Sequence, residues 1–124
     1  EFRRVLCRSV ADVAGATLPA GAAPDSVSFR AILEGAPPAT QVRTSIVHHS
    51  MNGTFALRSG PWKLSTALGT GGFTAPRDID ATPGGPTGTL FHLGDDPQEA
   101  VDVFLEQPDV VARLQVDLVG VRTR

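Results

Sequence analysis

Residues 42–68 read V-R-T-S-I-V-H-H-S-M-N-G-T-F-A-L-R-S-G-P-W-K-L-S-T-A-L, from Val42 to Leu68. Asn52-Gly53 lies between two alternating runs, and that dipeptide readily takes the positive φ angles of a two-residue hairpin turn. Gly60-Pro61 makes a second reversal, because proline fixes φ and glycine accepts conformations that other residues do not. Three short strands are therefore expected, over about residues 43–50, 53–59 and 62–67. Side chains alternate along a strand, so Phe55 and Leu57 point one way and Ala56 and Arg58 the other. Trp62 and Leu64 likewise share a face, with Lys63 opposite. One face of the sheet is apolar and the other small and basic. A sheet this small is not stable alone, so the apolar face needs a helix against it.

The rest of the chain supplies that helix and a fourth strand. Thr89-Leu90-Phe91-His92-Leu93 reads as a strand over about residues 88–93. Asp96 before Pro97 has the form of an N-cap followed by a first helical residue. Gln107-Pro108-Asp109 opens a helix expected over about residues 108–121. Val110, Val111, Leu114, Leu118 and Val121 form its apolar stripe, and Arg113, Gln115, Asp117 and Arg122 its wet side. The fold class is α+β: an antiparallel sheet of about four strands packed by a C-terminal helix.

Upstream, Ser9 to Gly15 carries Val10, Val13 and Ala14 at helical spacing, with Ser9 as N-cap and Gly15 as C-terminal stop. A Pro/Gly-rich loop follows to Pro24. Asp25 is placed to cap a short helical turn through Leu33, closed by Gly35. Phe29, Ile32 and Leu33 fall on one face and are expected to be buried. Pro37-Pro38 marks an extended linker. The opening nonapeptide, E-F-R-R-V-L-C-R-S, closely resembles the read-through translation of a sequencing-library adapter, differing only at Cys7. Residues 1–9 are on that reading an adapter-like, non-native segment, 10–24 the end of a helix plus a loop, and 25–124 a subdomain. Cys7, the single cysteine, then says nothing about redox compartment or thiol chemistry.

Composition narrows the function classes. The chain has 124 residues, 41% hydrophobic and 19% charged, with a formal net charge of −2. That is a globular composition, and at this length folding buries roughly two-thirds of the surface an unfolded chain exposes. No basic cluster accompanies an aromatic-rich strand, so no nucleic-acid partner is expected. No apolar run approaches the ~20 residues that span a bilayer, so no membrane partner is expected either.

His48 and His49 are the candidate binding residues. Adjacent on a strand, they point to opposite faces and do not share one metal ion without a bulge. The plain reading is one histidine at the core edge and one in solvent; the functional reading has one of them facing a cleft and hydrogen-bonding a polar or anionic ligand. No catalytic residue and no metal ligand is assigned. Ser50, a histidine and Asp78 or Asp80 make a triad only on paper, since no nucleophile-elbow sequence is present. Gly69-Thr70-Gly71-Gly72 lacks the Gly-Lys-Ser/Thr ending of a phosphate loop. Asp95, Asp96 and Glu99 lack the spacing of a calcium loop, and capping accounts for the Asp pair. Gly69 to Gly88 is a long irregular segment of the kind that is often functional.

V-H-H-S-M-N-G-T-F-A-L-R-S-G-P-W-K-L, G-T-G-G-F-T-A-P-R, T-L-F-H-L-G-D-D-P-Q-E-A-V-D-V and Q-P-D-V-V-A-R-L, in this order, closely resemble the C-terminal subdomain of bacterial sulfatases of the arylsulfatase type. D-S-V-S-F-R-A-I-L-E-G resembles that family's junction segment, and Val10 to Gly15 the last helix of its catalytic domain. The resemblance implies an alkaline-phosphatase-like sulfatase, a sulfuric-ester hydrolase using calcium and a formylglycine made from a cysteine in Cys-x-Pro/Ala-x-Arg. Cys7 is followed by Arg8-Ser9-Val10-Ala11, which does not fit that motif, and the family's metal-binding and sulfate-clamping segments are also absent. The chain is thus expected to hold no cofactor itself, calcium and formylglycine belonging to the parent protein, and to be inactive alone. Its implied partners are the missing N-terminal sulfatase domain and a sulfate-ester substrate, and its implied location is periplasmic or secreted. His48 or His49, with the Gly69–Phe73 loop, would complete the substrate pocket. The alternative is an independent β-rich carbohydrate-binding or structural interaction module.

Overall fold

A computed structural model describes residues 8–24, 26–37 and 43–122. They form two compact units that divide between Thr44 and Ser45. Residues 1–7, which include Cys7 and most of the adapter-like segment, lie outside the described residues, as do Asp25 and Pro38.

The first unit contains helix α1 (Arg8–Val13) and helix α2 (Arg30–Leu33). Polar contacts tie it together. Ser9, 2% exposed, lies inside α1 rather than capping it, and its hydroxyl accepts the Phe29 N–H at 3.0 Å. The Arg8 guanidinium donates to the carbonyls of Ala22 and Ala23, and Arg30 donates to the Asp12 carbonyl at 2.8 Å. Gly15 ends α1 as expected: its N–H bonds the Asp12 carbonyl and the Ala16 N–H the Ala11 carbonyl, the paired closure of a Schellman motif. Phe29, Ile32 and Leu33 were expected inside, but they are 43%, 47% and 63% exposed. Phe29 precedes α2, and Ile32 and Leu33 lie within it; the described residues leave that shared face largely open to solvent.

The second unit is a four-stranded sheet in the order β1-β2-β3-β4, with every neighbouring pair antiparallel. The strands are β1 (Ser45–His49), β2 (Phe55–Ser59), β3 (Trp62–Ser65) and β4 (Thr89–His92), followed by helix α3 (Pro108–Arg122). Register places Val47, Leu57, Leu64 and Leu90 side by side across one face. Leu57, Leu64 and Leu90 join Val111, Leu114 and Leu118 of α3 in a buried core, each contributing ~1.5–3 kcal/mol by the transfer of its side chain from water. Val47, Phe55, Trp62, Phe104 and Val110 pack around them. Ile46, Arg58, Lys63 and Phe91 line the opposite face.

The two tight turns differ from each other. Gly60, at φ +57°, precedes a proline whose φ is fixed negative, the sign pattern of a two-residue II′ turn. The first hairpin is not the two-residue turn expected at Asn52-Gly53. Ser50 N–H bonds the Thr54 carbonyl and Gly53 N–H the Ser50 carbonyl, leaving a three-residue loop, Met51-Asn52-Gly53. Only Gly53 takes positive φ there, at +86°, as in a type I turn closed by a left-handed glycine. The extra residue frees the Asn52 side chain for other bonds.

Between β4 and α3, Asp96-Pro97 lies in a run of turns, but Pro97 opens no helix. Asp96 instead caps a turn, accepting the Val101 N–H at 2.9 Å. That bond, together with those from neighbouring amides, holds its carboxyl below the ordinary value of 3.8. A depressed carboxylate stabilises the fold above its unfolded pKa, and the contribution disappears as pH falls through the folded value. Asp96→Asn should therefore lower the melting temperature at neutral pH, with the gap from wild type closing below pH 3.8; a pH series of thermal melts checks it. Nearby, Asp102 Oδ1 accepts the amides of Leu90 and Phe104, fastening this segment along the free side of β4.

Candidate functional site

The two histidines separate as strand geometry requires. His48 is paired with Ala56 across the ladder and projects from the face opposite α3. His49, in register with Phe55, lies on the helix side at the edge of the core. Its ring meets Phe55 edge-on at a centroid distance of 6.1 Å, and Nδ1 lies 2.9 Å from the Ser50 carbonyl, which makes Nδ1 the donor and leaves Nε2 as an acceptor in the neutral ring. Both side chains are exposed. Each is accessible to a ligand, and the two address different sides of the sheet.

The hairpin tip next to them is built around Asn52. Its Oδ1 accepts the hydroxyls of Ser50 at 2.5 Å and Thr54 at 2.9 Å, and the Thr54 N–H at 3.2 Å. Nδ2 donates to Asp78 Oδ1 at 2.6 Å; a carboxylate only accepts, so this contact fixes which way the amide points. The Asn52 N–H bonds the Gly71 carbonyl at 3.1 Å. Asn52 thus joins the hairpin to both arms of the glycine-rich segment.

That segment is itself folded back. Leu68 and Ile79 form an isolated antiparallel bridge, Thr70 N–H bonds the Pro76 carbonyl at 3.0 Å and Gly71 N–H the Arg77 carbonyl at 2.8 Å. The Thr70 hydroxyl bonds the Thr74 carbonyl and accepts the Gly72 N–H. Amides of Thr70, Gly71 and Gly72 are therefore engaged within the loop rather than directed at an anion. A side chain at Gly71 would overlap Ser50 Oγ and approach Asn52 Oδ1 to 2.6 Å, so glycine is required for the two tips to meet. At the end of this braced loop Phe73 stands 84% exposed.

Ser50 and Asp78 do come together, but Asn52 sits between them and neither histidine does, so no nucleophilic triad forms. Asp95, Asp96 and Glu99 disperse. Glu99, with φ +57°, reaches both oxygens to Lys63 Nζ at 2.6 Å, so Lys63 is ion-paired rather than a freely solvated charge. Asp95 Oδ2 approaches His92 Nδ1 to 2.6 Å, though not along a hydrogen-bonding direction. The His92 ring also stacks edge-on against Trp62 at 4.5 Å, which makes it a packing residue at the sheet edge. Arg58 is exposed. Among the described residues no cluster of three or more His, Cys, Asp or Glu is arranged to hold a metal ion, and no helix is long and apolar enough to cross a membrane.

The Asn52 network is what the sequence reading missed. Ser50 and Thr54 flank the three-residue loop and Asn52 lies at its centre, so the turn itself brings three polar side chains together. Reading Asn52-Gly53 only as backbone turn chemistry obscured that signal. Nothing local in the sequence links Asn52 to Asp78.

No protein-family model matches the chain, and no curated protein matches it significantly. A solved sulfatase structure from Bacteroides thetaiotaomicron, described within that organism's metabolism of multiple glycosaminoglycans, superposes with a TM-score of 0.72 at 29% identity. The match covers 94% of this chain but 24% of that structure, so the chain spans about a quarter of the sulfatase it resembles. The fold is sulfatase-related: its four-stranded antiparallel sheet and C-terminal helix match the C-terminal subdomain of that structure.

Proposed function

We propose that this chain is the C-terminal subdomain of a formylglycine-dependent sulfatase, shaping the pocket for the group that carries the sulfate ester. The single observation that carries the reading is the superposition over 94% of this chain and only 24% of the sulfatase, which leaves the greater part of such an enzyme outside the sequence. The nucleophile and calcium ligands belong in that remainder, and no catalytic step is assigned to the residues described. His48, His49 and the Gly69–Phe73 loop are the contacts offered to substrate. An imidazole donates a hydrogen bond to a sugar hydroxyl or to a sulfate oxygen, more strongly when protonated.

The test is sulfate release by the complete polypeptide, using a sulfated glycosaminoglycan disaccharide and para-nitrophenyl sulfate, before and after His48→Ala and His49→Ala. Because the histidines face opposite sides, one substitution should lower kcat/KM by about tenfold and the other should leave it nearly unchanged. Loss of one charge-assisted hydrogen bond is of that size.

A further inference from the structure

We propose that Asn52 is a positioning residue: with Asp78 it clamps the glycine-rich loop to the histidine-bearing hairpin and so fixes Phe73 for contact with substrate. This rests on the pocket-shaping reading above. Four observations support it. The Asn52 amide bridges the hairpin and Asp78 with opposite ends, accepting from Ser50 and Thr54 and donating to Asp78 at 2.6 Å. Its backbone N–H holds the Gly71 carbonyl. A Cβ at Gly71 would strike Ser50 and Asn52, while one at Gly69 would come within 2.6 Å of the Arg77 carbonyl, so both glycines exist where backbone meets the clamp. Finally, Phe73 is 84% exposed at the loop end. An apolar ring held out by a braced loop has its partner outside the described chain, and the hairpin that braces it also carries His48 and His49.

The clamp has a direction, and reversing it makes the test. Asn52→Asp keeps an oxygen for Ser50 and Thr54 but sets a carboxylate against Asp78. Asn52→Asp combined with Asp78→Asn exchanges donor and acceptor and restores the bond. In the 124-residue chain, amide hydrogen exchange at Thr70 and Gly71 should quicken roughly tenfold in the single variant, from a lost charge-assisted bond plus like-charge repulsion. The double variant should return to within about twofold of wild type, the coupling that a double-mutant cycle isolates. Strand amides such as those of Leu57 and Leu64 should not change in either. In the complete polypeptide, Asn52→Asp should raise KM for a sulfated disaccharide roughly tenfold with kcat within about twofold, and the double variant should reverse this.

Unchanged exchange at Thr70 and Gly71, or no rescue by the double variant, would overturn the clamp while leaving the pocket reading intact. Faster exchange with an unaltered KM would overturn the positioning role. A complete polypeptide that cleaves no sulfate ester would overturn that role together with the reading beneath it.

Discussion

Replacing Leu64 with alanine is expected to destabilise the sheet and helix unit by about 2–5 kcal/mol, the range for truncating a fully buried leucine. Leu64 is 0% exposed and lies on β3 between Leu57 and Leu90, in the core formed with Leu114 and Leu118. The cost combines lost transfer energy with a cavity that neighbours on two strands and a helix cannot close. Small domains hold about 5–15 kcal/mol in total, so a large share of the stability is at stake. Urea unfolding followed through Trp62, the only tryptophan and itself packed on this core, gives the number. Val116→Ala is the control: at 71% exposed, its truncation should change stability by no more than about 0.5 kcal/mol. A Leu64→Ala loss below about 1 kcal/mol would mean that α3 does not cover the sheet as described.

Gly88→Ala should cost about 1–3 kcal/mol through overpacking alone. Gly88 is buried, and a Cβ there would overlap the Ser65 carbonyl oxygen and press on Phe104 Cε2 at 3.2 Å. Ser65 is paired with Thr89 at the end of the β3–β4 ladder, and the Phe104 amide is tied to Asp102, so neither neighbour yields cheaply. Gly120→Ala tests the same chemistry without the clash. It lies in α3 with no described atom outside the helix's own backbone within 4 Å of the added carbon, and removing a helical glycine should stabilise by roughly 0.5–1 kcal/mol. Opposite signs for the two substitutions in parallel denaturation curves are the expected result. Equal small effects would contradict the close approach at Gly88.

Much of the second unit was legible in the sequence because its periodicities are strong. Alternation at Phe55-Ala56-Leu57-Arg58 and Trp62-Lys63-Leu64 gave both the strands and the face that packs. The spacing of Val111, Leu114 and Leu118 gave the covering helix. Val121, placed on the same stripe, is only half-buried near the helix end. Phe29, Ile32 and Leu33 were misread because spacing reports a shared face but not what covers it. At Asp96 the expected cap and turn are present, but no helix continues from Pro97, because the same capping oxygen serves a helix or a tight turn.

The candidate site was less legible. That His48 and His49 diverge follows from strand geometry alone. The clamp does not, because it depends on a three-residue turn and on Asp78 returning 26 positions later in the chain. Contacts of that range are set by the fold rather than by any local pattern. Lys63 is similar: no local pattern pairs it with Glu99, which the chain after β4 brings to it.

The most direct test of the proposal that this chain completes a sulfatase pocket is kcat/KM for sulfate release by the complete polypeptide, wild type against His48→Ala and His49→Ala. Wild type should hydrolyse the ester measurably, the 124-residue chain alone should not, and a loss of about tenfold should be confined to one of the two variants. Hydrolysis unaffected by both substitutions on every sulfate ester cleaved would contradict the substrate role of the hairpin. A complete polypeptide releasing no sulfate would contradict the sulfatase reading itself.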